Sequence, residues 1–378
     1  MCAFCPIYLN SHPLPSKARD LQESMRVLLL SRYGRLGASS RIRSYQYLPF
    51  LEAQGVHVTV SPLFEDSYLH GLYSAHKTDA YFVFQAYFRR VGRLLESRNF
   101  DLVWIEYELL PWTPHWAEKV LAALGTPYLV DYDDAIFHRY DMHPRRLVRL
   151  LLGRKIDRVM QKASKVVVGN EYLAERAWRS GARHVNILPS VVDLARYRIE
   201  KGMGHGSFTV GWIGSPTTAP YLEPVLPAIE EFAKDRNVRL VLVGSGKVPI
   251  NGIPVEIREW SEDTEVGDIQ SFDVGIMPLP NEPWALGKCG YKLVQYMACA
   301  LPVVASPVGV NKEMVRDGWN GFLAEGKGDW IQALNTLYEN ASRREEMGKA
   351  GRALVEEKYC LKATGPRLLA LLKSVAPH

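Results

Sequence analysis

The sequence predicts an α/β protein built from two doubly wound parallel-sheet domains with a cleft between them. Three observations carry this: strand-like runs that are apolar almost without interruption, helical segments between those runs, and a restart of the whole pattern near residue 208. A strand covered by helices on both faces shows no polar side to solvent, so parallel strands read as continuous apolar runs. A chain of 378 residues is long enough to bury two such cores.

The first set of runs is RVLLLS (26–31), VHVTVS (56–61), FDLVWIEY (100–107), PYLVDYDD (127–134) and KVVVGN (165–170). After the glycine-rich KGMGHGSF (201–208) come FTVGWIGS (208–215), VRLVLVGSG (238–246), VEIREW (255–260), FDVGIMPL (272–279) and LPVVASPV (301–308). The expected organisation is an N-terminal extension over 1–24, a first Rossmann-like domain over 25–202 and a second over 203–357. A C-terminal helix within 358–378 is expected to return toward the first domain. Ligands of such sheets collect beyond the carboxyl ends of the strands, so the loops there are where chemistry is sought.

Composition excludes several classes. With 47% hydrophobic and 23% charged residues the chain is neither disordered nor a coiled coil. A net charge of +5 is too mild for a nucleic-acid binder. The charge is unevenly placed: residues 1–200 hold 27 Lys and Arg against 20 Asp and Glu, and residues 201–378 hold 19 against 21. No apolar run approaches the roughly 18–20 residues of a membrane-spanning helix. The cysteines (Cys2, Cys5, Cys289, Cys299, Cys360) are odd in number and scattered, which suits a reducing compartment better than a disulfide scaffold. Cys2 and Cys5 lack a second ligand pair, and the first 24 residues do not have the pattern of a secretion signal. A cytoplasmic protein is expected.

The most informative segment is PLPNEPWALGKCGYKLVQYMACALPVVASPVGVNKEMV, 278–315. Three prolines stiffen its entry, and a helix follows. If that helix begins near Gly287, Lys288, Lys292 and Gln295 share one face. Lysines at a helix N-terminus oppose the helix dipole, a conflict that a bound phosphate removes. The alternative is that both lysines extend to solvent from a packed helix.

The two-domain restart, YKLVQYMACALPVVASPVG and the following GWNGFLA (318–324) resemble the retaining glycosyltransferases of family 4, which have the GT-B fold. The resemblance covers about residues 25–375. It implies transfer of a sugar from a nucleotide-diphosphate sugar donor with retention of configuration, no tightly bound cofactor and no metal site. The family's paired glutamates fall on Gly287 and Gln295, and the family's cations after the glycine-rich turn are replaced by Gly214, Ser215, Thr217 and Thr218. Donor binding is therefore expected from those four, from Lys288, Lys292, Gly287 and Gln295, and from Glu313. Arg258 and Trp260 are expected beside the nucleotide base.

On the first-domain side, RYGRLGASSRIR offers Gly37, Arg41 and Arg43 to the acceptor or a phosphate, and Asn170, at the end of another strand, is expected to join them at the acceptor. The run DYDDAIFHRYD (131–141) places acids at a strand end; Asp134 is the leading base or orienting group, with Asp131 beside it. Its DxD spelling suggests a cation, which the fold context argues against. Glu282 is the carboxylate nearest the lost glutamates, either approaching the sugar or remaining an exposed loop acid. Between Arg139 and Lys165 nine basic residues face two acidic ones, with leucines interleaved. That pattern reads either as a docking face for an anionic membrane or as the solvated side of a packed helix.

The functional expectation is a glycosyltransferase, cytoplasmic or peripheral on the inner face of the cell membrane. It would act on a glycan or lipid-linked acceptor in cell-surface polysaccharide or glycoconjugate synthesis, with no nucleic-acid partner. The rivals are a non-catalytic GT-B subunit, motivated by the lost glutamates, and a nucleotide-sugar epimerase.

Overall fold

A computed structural model describes residues 24–73, 80–199, 206–250 and 252–375. Residues 1–23 of the expected extension, with the Cys2 and Cys5 pair, and residues 201–205 of the glycine-rich link lie outside the described residues.

Two six-stranded, wholly parallel sheets form the frame. The first contains β1 (Met25–Leu30), β2 (Val56–Val60), β3 (Leu102–Glu106), β4 (Tyr128–Tyr132), β5 (Lys165–Val168) and β6 (Val185–Ile187), in the order β2-β1-β3-β4-β5-β6. The second contains β7 (Phe208–Ile213), β8 (Val238–Val243), β9 (Val255–Arg258), β10 (Val274–Met277), β11 (Val303–Ala305) and β12 (Gly321–Leu323), in the order β12-β11-β10-β7-β8-β9. The continuous apolar runs have the burial that two covered faces require: Val27 to Leu30, Leu102 to Ile105 and Leu240 to Val243 are almost wholly inaccessible.

β6 and β12 lie outside the predicted runs. Each has three residues, VNI and GFL, at the edge of its sheet, too short for any periodicity to register. β9 stops at Arg258, so Trp260 belongs to the loop beyond the strand end.

The last helix, Leu361–Lys373, buries Leu368 and Leu372 among Val27, Leu29 and Trp104 of the first sheet. Tyr47 Oη and Thr364 Oγ1 meet at 2.8 Å in that contact. The chain returns there through a bridge in which Val192 N–H donates to Tyr359 O and Leu361 N–H to Val192 O. The end of the chain therefore packs on the sheet with which the described chain begins. Among the described residues no helix is long and apolar enough to cross a membrane.

Candidate active site

Residues at the strand ends of the first lobe meet the segment 286–290 of the second. Close approach there depends on missing side chains. A Cβ on Gly287 would lie 2.5 Å from Ala135 Cβ and 2.7 Å from Ala135 N, and one on Gly169 would lie 2.1 Å from Cys289 Sγ. Asn170 ties the lobes: its Nδ2 donates to Lys288 O (2.9 Å) and Leu286 O (3.3 Å), while its Oδ1 caps the helix Glu171–Arg179 through Leu173 N–H. Both ends of that side chain are engaged. This corrects the expectation that Asn170 faces an acceptor.

The helix expected from Gly287 begins at Tyr291 and ends at Ala298. Gly290, with φ 69°, adopts the left-handed conformation that separates this helix from the four-residue turn Pro283–Leu286. Lys288 therefore stands on the linker, and the shared helical face is limited to Lys292 onward. Lys288 Nζ reaches across the cleft to Asp134 Oδ1 (2.8 Å) and Oδ2 (3.1 Å). Burial works against the Lys288 charge, but Asp134 more than offsets this, and its pKa is raised.

Lys292 has the opposite environment. Among the described residues no carboxylate or carbonyl accepts from it; its ammonium lies 5.4 Å from the centroid of the Trp212 ring. Burial, and next the Lys288 charge, bring it down to about 8. Lys288 and Lys292 line one recess with Trp212, Thr218, Tyr221, Met277, Pro278 and Leu279. This is a desolvated cationic corner at the carboxyl end of the second sheet, the kind of place that takes an anion.

The turn after β7 borders that corner. Ser215 Oγ and Thr217 Oγ1 lie 2.8 Å apart, and Thr218 Oγ1 accepts from Ser215 N–H. A Cβ on Gly214 would lie 2.3 Å from the Trp212 ring, so glycine lets the turn fold over that indole. Gln295 points away from the recess, into a buried chain of hydrogen bonds. Its Nε2 donates to Tyr197 Oη (3.1 Å), Tyr197 Oη donates to Glu265 Oε1 (2.9 Å), and Trp260 Nε1 donates to Glu265 Oε2 (3.0 Å). Arg41 covers the Trp260 ring at 4.5 Å from its centroid.

Arg258 is held by Glu256, Asp268 and Ser271, which corrects its assignment to the base. Glu282 is exposed at the start of the turn Pro283–Leu286. Glu313 is exposed on the short helix Asn311–Met314, its pKa raised by partial burial and by Glu171.

In the first lobe Arg43 and Asp131 form a buried pair, with Nε–Oδ1 at 2.7 Å and Nη2–Oδ2 at 3.1 Å, and Arg43 Nη1 also donates to Leu188 O. Both side chains are almost wholly inaccessible, which corrects their placement at the cleft. Gly37 precedes the helix Ala38–Arg43 and lets it pack on Tyr33, since a Cβ there would lie 2.5 Å from Tyr33 Cβ.

The acid that pattern reading passed over is Asp133. It accepts a short hydrogen bond from Tyr107 Oη, and burial, then the adjacent Asp134, push it up to about 6. Tyr107 itself sits at φ 64°, a strained conformation for a non-glycine residue directly after β3. Asp133 was visible within the DYDD run; the Tyr107 contact has no local sequence signal. Among the described residues no group of three or more His, Cys, Asp or Glu is placed to hold a metal ion.

Known proteins match this architecture. Residues 18–189 match the family described as glycosyl transferase 4-like domain, and residues 207–340 match glycosyl transferases group 1. A D-inositol 3-phosphate glycosyltransferase of Paenarthrobacter aurescens is 37% identical over 124 residues, 31% of this chain and 27% of that protein. Its counterpart in Pseudarthrobacter chlorophenolicus is 25% identical over 227 residues, 51% of this chain and 52% of that protein. These matches thus span between about a quarter and about half of the curated relatives.

Among solved structures, sucrose-phosphate synthase from Thermosynechococcus elongatus superposes with a TM-score of 0.70 at 15% identity, over 93% of this chain and 98% of that one. Anabaena HepE in complex with UDP and glucose gives 0.65 at 16%, over 93% and 100%. At such identities the superpositions speak for fold alone. With both halves matched in order and the cleft between two Rossmann-like sheets, the chain belongs to the family 4-type glycosyltransferases of GT-B fold.

Proposed function

We propose that this protein transfers a sugar, with retention, from a nucleotide-diphosphate sugar to a glycan or lipid-linked acceptor in cell-surface glycoconjugate synthesis, at the cytoplasmic face of the membrane. The observation that carries the reading is Lys292, a desolvated ammonium with no carboxylate partner, beside Lys288 in the second-lobe recess. A diphosphate supplies the missing negative charge. Relatives named as D-inositol 3-phosphate glycosyltransferases support glycosyl transfer, and a HepE structure holding UDP supports the donor class.

In this reading the acceptor oxygen bonds to the anomeric carbon as the bond to the diphosphate breaks on the same face. The electron pair leaves with the diphosphate, where Lys288, Lys292 and the 214–218 turn stabilise it. The acceptor proton passes to a departing phosphate oxygen or to the Asp133 and Asp134 pair. Asp134 orients Lys288, and Gly287 lets the donor lobe close on Ala135. In this reading Trp260, held by Glu265, meets the base, and Arg41, stacked on its ring, serves the acceptor.

Acceptor-dependent release of nucleoside diphosphate across a panel of nucleotide sugars tests this. One donor should be consumed only when acceptor is present. Release without acceptor would favour an epimerase, and no binding or consumption of any donor by folded protein would favour a non-catalytic subunit. The pH profile adds a second check. Asp133 is ionised above about 6, so kcat/KM should fall as pH drops through that value. Asp133→Asn should abolish this acid limb, and an acid limb unchanged in the variant would exclude Asp133 as its source.

A further inference from the structure

The helix Arg146–Leu152 wears its hydrophobic residues outward. Leu147, Leu150 and Leu151 are 65%, 80% and 63% exposed, while Val148 and Leu152 alone face the first-lobe core. Arg145, Arg146, Arg149, Arg154 and Arg158 surround them, all exposed. Among the described residues none of these five has a carboxylate partner. The two acids of the stretch are neutralised elsewhere: Asp141 and Asp157 both pair with Arg176, at 2.9 and 2.6 Å.

The patch continues beyond this helix. Trp112, half-exposed, packs edge-on against Tyr140 and His143. Its neighbour Pro111 accepts from Tyr87 on the helix Ala80–Leu95, which presents Phe84 and Phe88 to solvent at 68% and 75%. Trp112 follows β3 and the helix Arg146–Leu152 follows β4, so the surface rims the carboxyl ends of the first-lobe strands, beside the cleft.

We infer that this face docks on an anionic lipid bilayer. Leucines at this exposure need an apolar phase to enter, and arginines without a carboxylate partner beside them need anions at its boundary; a bilayer with acidic headgroups supplies both at the right depth. A nucleic acid would meet the arginines and leave the leucines wet. A second copy docked about a two-fold axis would set the same arginines against each other. The purpose of the surface, to bring the cleft to a lipid-linked acceptor, rests on the proposed transfer reaction. The docking itself does not.

Sedimentation of the full chain with vesicles, in the absence of donor and acceptor, reads docking alone. Binding is expected to phosphatidylcholine vesicles containing phosphatidylglycerol and not to phosphatidylcholine alone, and it should weaken as salt is raised. Arg145→Gln with Arg146→Gln should weaken it about 25-fold, at about fivefold for each basic residue. Leu150→Ser with Leu151→Ser should weaken it at least about tenfold, since two exposed apolar groups no longer enter the bilayer. Both double variants should keep the wild-type Tm and transfer to a water-soluble acceptor.

Absence of binding to acidic vesicles at low salt overturns the inference, as does equal binding by the variants. A dimer that dissociates on the leucine substitutions also overturns it and assigns the face to a second copy. Vesicle binding without transfer on any donor would sink the enzymatic reading and leave the docking face standing.

Discussion

Replacing Lys292 by Met should make the protein more stable and nearly inactive toward its donor. The lysine is desolvated and opposed by Lys288, so its proton is held to about 8 in the folded chain. In the unfolded chain it is held to near the ordinary lysine value of 10.5. Between those values the unfolded state binds more protons, and stability rises with pH across that window. Below about 8 the folded state carries the full cost of a charged, unpartnered ammonium. Methionine keeps the unbranched stem and removes the charge, a gain of about 1–3 kcal/mol once solvent access is allowed for.

Donor kcat/KM should fall by about 10²–10³, the usual effect of removing one group that meets developing charge. In the wild type it should also decline above about pH 8 as the ammonium deprotonates. Lys288→Met serves as the contrast. Lys288 is paired with Asp134, so its removal strands a carboxylate and should lower Tm while also impairing donor use. Thermal unfolding and donor kinetics on the two variants check the sign difference. A Lys292→Met protein less stable than wild type, or equally active, would contradict the assignment.

Restoring the family's glutamates should damage this protein. Gly287→Glu forces a Cβ to within 2.5 Å of Ala135 Cβ and 2.7 Å of its backbone nitrogen, so the lobes must part. Gln295→Glu removes the amide that donates to Tyr197 Oη and sets a second carboxylate in the network of Glu265. Loss of a buried donor costs about 1–3 kcal/mol, and the like charge adds to it. Both variants should lower Tm, and neither should raise kcat/KM. A gain in activity from either would mean that the glutamates are simply lost here. The carboxylate that holds Trp260 and Tyr197 is Glu265, on the helix Glu265–Gln270.

These substitutions mark where sequence reading reaches and where it ends. The inner strands were legible because burial on both faces leaves a continuous apolar run, as in RVLLL and VRLVLV. The edge strands VNI and GFL carry no such run. The expected helix start at Gly287 yields to Gly290, whose left-handed φ sets the start at Tyr291. Lys288, Lys292 and Thr218 come together because each follows a strand of the second sheet, a rule that periodicity alone supports. Trp212 and Tyr221, which complete the recess, look in sequence like ordinary core aromatics.

The remaining differences are matters of partnership. Arg43 and Asp131 each look like cleft residues, and only the fold reveals that they neutralise one another beneath the surface. The link from Gln295 through Tyr197 and Glu265 to Trp260 joins four residues spread over 98 positions, beyond the reach of any local pattern.

Calorimetric titration of UDP, GDP and ADP into the wild-type protein and Lys292→Met most directly tests whether the second-lobe recess seats the donor diphosphate. One nucleotide should bind the wild type, and Lys292→Met should weaken that binding at least about tenfold while keeping a folded, more stable protein. Equal affinity in the two proteins would place the diphosphate elsewhere and contradict the reading.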